Sequence, residues 1–207
     1  MRMLAVLMAL IFGSVAPASA MTFRLLHTPD GQRMVAATGE IVPGDARRLA
    51  RALSQATRDR HGTKNLLLDS PGGLVSEAFG MADVMDRTGV STIVPAGAFC
   101  GSACASVLFV SGRYRTVERG GALVIHSCYD ALSGQAMGVC DALISAHAQY
   151  EGVSGKTLMA LQALAGTNAA FVFGNQGAAC FGLTRAPGSR GPAAAPCLTP
   201  RKPSARR

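Results

Sequence analysis

The segment Asn65-Leu66-Leu67-Leu68-Asp69, followed at once by Ser70-Pro71-Gly72-Gly73, constrains this chain more than any other. A short apolar run closed by a turn is the pattern of a strand buried inside a parallel sheet. The same grammar recurs on both sides. Two strands are expected over residues 23–27 and 34–41. Asp45 can cap a helix whose apolar positions Ala46, Leu49, Ala50 and Leu53 follow helical spacing, with Gly62 as its stop. After the 65–69 strand come a helix over 74–87 ending at Gly89, a strand over 91–95, a small-residue helix from Ser102 to Val110 and a strand over 122–125 that ends at His126. Further helices are expected over 138–150 and 156–164. Short apolar strands alternating with helices imply an α/β fold, a mainly parallel sheet flanked by helices, with right-handed crossovers.

Nearly half of the 207 residues are hydrophobic, enough for one sizeable core. No Gly-X-Y period runs through the glycines, which excludes collagen. Trp is absent, which argues against a stacked-ring platform for nucleic acid or carbohydrate. Residues 1–20 read as a signal peptide, with Arg2 as the charged start, residues 4–12 as the apolar stretch and Ala18-Ser19-Ala20 as the cleavage site. The domain is then 21–184. Residues 185–207 form a tail rich in Ala, Pro and base, with Arg185, Arg190, Arg201, Lys202, Arg206 and Arg207. It is expected to be disordered, with weak contact to an anionic envelope surface as its sharper reading. Without leader and tail the bases and acids nearly balance, so the basic character of the chain does not describe a nucleic-acid-binding face.

Six cysteines (Cys100, Cys104, Cys128, Cys140, Cys180 and Cys197) in an exported chain suggest at least two disulfides, with Cys180–Cys197 the favoured single pair. On a helix, Cys100 and Cys104 would have Cβ atoms about 5 to 6 Å apart, beyond the roughly 3.5 to 4.5 Å of a disulfide. They are expected to pair elsewhere or not at all. A metal set of Cys100, Cys104, His126 and Cys128 is a weaker reading of the same residues. Gly155-Lys156-Thr157 mimics the end of a phosphate loop, but Tyr150 stands where that loop needs Gly. His147 is expected on a helix surface, and His27 and His61 at loops or strand ends.

Ligand sites in a parallel sheet gather beyond the carboxyl ends of its strands. Three successive units put chemistry there. Gly72 and Gly73 expose backbone amides, as an oxyanion hole requires, although they also suit a plain turn. Ser102 can be a nucleophile or an ordinary helix cap. His126 can be a general base or a hydrogen-bonded structural residue. The convergence of the three favours catalysis over each bland reading.

Residues 68–73, the Ser102 segment and Leu123-Val124-Ile125-His126 resemble the proteolytic subunit of Clp protease and signal peptide peptidase A of the crotonase-like superfamily. Closest is a Clp-protease-like group of exported bacterial proteins carrying Cys-x-Ser-Ala-Cys, here residues 100–104. The resemblance covers about residues 39–183 and implies a crotonase-like fold of repeated ββα units. It implies Ser102 as nucleophile, His126 as base, and the amides of Gly73 and Ala103 as the oxyanion hole, with no cofactor. Ser106 and Cys104 are the weaker alternative nucleophiles. The Clp-type enzymes carry a triad Asp well downstream of their His, whereas here no Asp or Glu follows Glu151. Asn168, Asn175, Asp130 and Asp141 stay open as the third member. The expected function is a periplasmic serine hydrolase, a peptidase acting by acyl transfer on peptides or small esters. An inactive scaffold binding peptides or acyl groups is the alternative, and a thiol redox or metal protein a further one. Nucleic acid and an ATP-driven unfoldase are not expected as partners; a homo-oligomer is compatible.

Overall fold

The computed structural model describes residues 20–130 and 132–189. The leader residues 1–19 and the tail residues 190–207, Cys197 among them, lie outside the described residues. The elements in chain order are β1 (Thr22–His27), β2 (Arg33–Thr38), α1 (Asp45–Gln55), β3 (Lys64–Asp69), α2 (Val75–Thr88), β4 (Val90–Val94) and β5 (Phe99–Gly101). A π-helical segment (Cys104–Phe109) follows, then β6 (Arg115–Val117), β7 (Ala122–Ile125), α3 (Gly138–Tyr150), α4 (Gly155–Ala165), β8 (Phe171–Phe173) and α5 (Asn175–Cys180).

The expected single, mainly parallel sheet is instead two mixed sheets flanked by helices. One runs β1-β2-β3-β4-β6 and the other β5-β7-β8. The pairs β2–β3, β3–β4 and β4–β6 are parallel, whereas β1–β2 is antiparallel. The reason is local: the turn closed by Thr28 N–H to the Gln32 carbonyl, at 2.9 Å, is too short for a crossover. In the second sheet β5–β7 is parallel and β7–β8 antiparallel. Pro95 ends the strand before it, since proline has no N–H to donate. The two sheets meet where Ser70 N–H donates to the Phe99 carbonyl and Gly101 N–H to the Ser70 carbonyl, both at 2.8 Å.

Leu66 and Leu68 of β3 point into the main core with Val35 and Ala37 of β2, Leu49 and Leu53 of α1, and Met81 and Met85 of α2. The opposite face of β3 is only half-buried. All six side chains of the π-helical segment are buried. Small residues allow the close packing; Leu108 and Phe109 supply the volume, and truncating a buried Phe to Ala costs about 3 to 5 kcal/mol. Helix α1 starts at Asp45, but the cap is not the expected one. Gly44 occupies the capping position, and the Asp45 carboxylate accepts from the Val42 N–H at 2.7 Å and from Arg48. The helix ends at Gln55, well before Gly62.

Two described disulfides correct the cysteine reading. Cys100 and Cys104 are bonded to each other, with Cα atoms 5.2 Å apart. The expectation failed because it put both on one helix: Cys100 lies in β5, and the turn at Ser102 folds Cys104 back onto it. Cys128 pairs with Cys140. Cys180 is also disulfide-bonded; the expected pair with Cys197 falls outside the described residues. Disulfides suit an oxidising compartment. No helix among the described residues is long and apolar enough to cross a membrane.

At the far end of α3 lies a polar cluster that sequence reasoning missed. His147 is not a surface residue. Its ring is half-buried, hydrogen-bonded through Nε2 to Ser111 Oγ at 2.8 Å and set edge-on to Phe79. Arg115, 1% exposed, donates to the carbonyls of Leu183, Val110, Gly112 and Glu151. Arg185, at the start of the expected tail, pairs by two backbone hydrogen bonds with Arg115 and donates to the Glu151 carbonyl. The Glu151 carboxyl is pushed up to about 7, first by burial and then by Asp86 of α2, against the pull of Arg115 and Arg185.

A carboxyl group raised in the folded state holds its proton longer than it does in the unfolded chain. Its contribution to stability is therefore complete below about pH 4.5 and is lost as the pH rises through about 7. Burial lowers the His147 pKa, so that ring costs stability in the opposite direction, as pH falls below 6.5. Comparing variants isolates the carboxyl: Glu151→Gln is expected to gain in Tm over the parent steadily across the window from pH 4.5 to 7, as read by circular dichroism melts. A parallel pair of curves would exclude the shifted carboxyl.

Candidate functional site

The carboxyl ends of β3, β5 and β7 open on one cleft of about 830 Å³, within the usual size of a small-ligand site. Gly72, Gly73, Ser102, Ala103 and His126 all line it. The three features expected from three chain units therefore converge. They do so by a different route from the one expected: β7, which ends at His126, neighbours the short strand β5 immediately before Ser102, not β4.

Ser102 takes φ +53°, alone among described non-glycine residues in the left-handed region. Such a backbone costs a serine roughly 1 to 2 kcal/mol, so surrounding contacts must hold it. Its N–H donates to the Val124 carbonyl at 2.8 Å, and its carbonyl accepts from the Ser106 N–H at 2.9 Å. The Cys100–Cys104 disulfide closes the same turn from outside. Gly72 packs against it. A Cβ on Gly72 would lie 2.6 Å from the Gly101 carbonyl oxygen and 2.7 Å from Ser102 Cβ, and one on Gly73 would lie 2.4 Å from the Ile41 carbonyl oxygen. Both glycines also have positive φ. Ile41 clamps the pair, accepting from Leu74 N–H at 3.0 Å and donating to the Gly72 carbonyl at 2.7 Å. Among the described residues, no backbone carbonyl accepts from the Gly73 or Ala103 amides.

The half-buried His126 has Nδ1 2.8 Å from the Ser127 carbonyl oxygen. A carbonyl only accepts, so Nδ1 carries the hydrogen and the neutral ring keeps a lone pair on Nε2. That is the tautomer a general base needs. Tyr129 packs at 5.6 Å between ring centroids. Apolar side chains, including Ile41, Pro43, Leu74, Met137 and Ile144, make up much of the remaining lining, with Glu40 and Asp130 as its carboxylates.

None of the four candidate third members hydrogen-bonds to the imidazole. Asp130 is exposed and accepts from the Leu132 and Ser133 amides and the Ser133 hydroxyl, which hold its pKa low. Asn168 is exposed beyond α4, and Asn175 opens α5. Asp141 lies on α3; its carboxylate accepts from Ser127 Oγ, from the Cys128 N–H at 2.8 Å and from Gln162 Nε2 at 3.0 Å. The partner the sequence could not name is a main-chain carbonyl, which no residue type announces. Cys104 is withdrawn as a nucleophile because its sulfur is in a disulfide. Ser106 borders the cleft but is 2% exposed, one turn behind Ser102. The thiolates of the Cys100, Cys104, His126 and Cys128 metal set are likewise consumed, since all three cysteines are oxidised.

Comparison of the chain with protein-family models and with curated proteins found no match.

The close approach of Gly72 to the Ser102 turn is testable apart from backbone strain. Gly31 also has positive φ but open space around its Cβ position. Gly72→Ala is expected to cost at least about 1 kcal/mol more than Gly31→Ala in denaturant unfolding, since only the former adds overlap with backbone to the strain. Equal losses would mean that the approach is not tight.

Proposed function

We propose that this chain is an exported serine hydrolase of the crotonase-like, Clp-protease-related kind, cleaving peptides or small esters by acyl transfer. One observation carries the reading: a serine held in a left-handed turn and a histidine in the general-base tautomer line the same cleft. Ser102 Oγ attacks the substrate carbonyl carbon while His126 Nε2 takes its proton. The negative oxygen of the tetrahedral intermediate accepts from the Gly73 and Ala103 amides. The imidazolium then protonates the leaving amine or alkoxide, and water, deprotonated by the same His, releases the acid and restores Ser102. The apolar lining favours substrates with apolar side chains.

A carbonyl at Nδ1 orients the ring but stabilises the imidazolium less than a carboxylate would. The retained tautomer spares the site the loss of about 10⁴ in turnover that a wrong tautomer costs in the serine-protease template, and the weaker stabilisation of charge remains. Turnover here is therefore slow, limited by charge and not by orientation. The periplasm is the proposed compartment, with removal of residues 1–20. That cut would leave as the new start Met21, which is buried and donates its N–H to the Glu40 carbonyl at 2.7 Å. N-terminal sequencing of exported protein is expected to begin at Met21; full-length chain would contradict the leader.

The activity is tested with a fluorophosphonate probe and small ester substrates. The parent labels on Ser102 and hydrolyses slowly, and Ser102→Ala and His126→Ala each abolish both. Parent-like labelling in both variants would overturn the assignment. A parent that neither labels nor hydrolyses would leave the cleft as a binding site for peptides or acyl groups.

A further inference from the structure

We infer that Asp141 is the positioning residue of the site, acting on His126 through the Ser127 peptide and not by direct contact; this rests on the proposed role of His126 as base. The segment His126-Ser127-Cys128 leaves β7 along the cleft and must hold a defined path to keep the His126 ring there. Four bonds fix that path. Ser127 N–H donates to the Gly166 carbonyl at 3.0 Å, Ser127 Oγ and Cys128 N–H both donate to the Asp141 carboxylate, and Cys128 is joined to Cys140, the residue before Asp141. The Ser127 carbonyl, so held, receives the Nδ1 hydrogen of His126. Asp141 is fixed in turn by Gln162 of α4, fully buried, whose carbonyl oxygen accepts from Ser145 Oγ at 3.4 Å.

A carboxylate that accepts from both the side chain and the next amide of one peptide unit does two things. It orients the carbonyl of that unit, and it polarises it, because hydrogen bonds in series strengthen one another. Asp141 thus orients the ring at one remove, as a triad acid does in contact. Among the described residues, the other titratable groups lining the cleft are Glu40, Tyr129 and Asp130, with no Lys or Arg.

Two readouts test this, one of which does not need activity. The first is the His126 ring followed by ¹⁵N and ¹³C NMR in the full exported chain. The parent is expected to show the Nδ1–H tautomer; Asp141→Asn, which retains one acceptor but cannot accept from Ser127 Oγ as well, is expected to mix tautomers. Ser127→Ala shows the same trend with the Cys128 link intact, and Ser127→Thr restores the parent state. The second readout is labelling rate per folded site, which falls by up to about 100-fold in Asp141→Asn. A tautomer unchanged in both Asp141→Asn and Ser127→Ala overturns the inference whether or not the protein is active. Parent-like NMR behaviour in the parent alone, with no labelling, supports the relay while removing the hydrolase reading. Loss of labelling that follows only the fraction folded, with the parent's tautomer in place, reduces Asp141 to a structural residue and overturns it.

Discussion

Gly72 lies so close to the Ser102 turn that one added methyl would overlap the Gly101 carbonyl, and the rest of the site depends on that approach. It brings the end of β3 against the end of β5, so the glycine turn after one strand packs on the serine turn after another. It also accounts for the strain. Ser102 holds a left-handed backbone because its amide is committed to Val124, its carbonyl to Ser106, and its flanking cysteines to each other. Removing any one partner leaves the others to carry roughly 1 to 2 kcal/mol of unfavourable conformation. Such strain persists only where neighbours over-determine it.

The histidine half of the site is built the same way, from main chain locked by cross-links. The Cys100–Cys104 bridge encloses the serine turn, and Cys128–Cys140 ties the turn after His126 to the start of α3. Both bridges are local. They do less to restrict the unfolded chain than a long-loop bridge would, and their main effect is on the geometry of the two turns. The site is thereby matched to an oxidising compartment, where both bridges persist.

Helix α3 connects this site to the other polar centre of the domain. Over 13 residues it spans about 20 Å. Its first turn presents Asp141 to the Ser127 peptide, and its end sets His147 and Glu151 among Ser111, Arg115 and Arg185. Buried charges of this kind are costly unless hydrogen-bonded. Here Arg115 donates from Nε and Nη1 to four carbonyls, fastening α3, the end of the π-helical segment and the chain after α5 together, while its buried Nη2 has no partner among the described residues. Shifts of α3 are opposed at both ends.

Local pattern carried far. The helices over 75–88, 138–150 and 155–165 and the strands over 64–69, 90–94 and 122–125 were legible because apolar periodicity and glycine stops are properties of neighbouring residues. The convergence of Gly72, Gly73 and His126 was legible for the same reason, since each follows a recognisable strand, and Ser102 was legible as the opening of a small-residue helix. What local pattern could not carry was any pairing that depends on distant chain. The three-residue strands β5, β6 and β8 have too few residues to show a period and exist only through their partners. Cys100 and Cys104 looked unpairable on a helix, and only the turn between them, imposed by Gly72 and Val124, made them a disulfide. The partner of His126 turned out to be a carbonyl, a group every residue carries. The sequence alone determined which side chains stand at strand ends; the tertiary structure decided which backbone groups hold them, because hydrogen bonds to main chain depend on position and not on residue type.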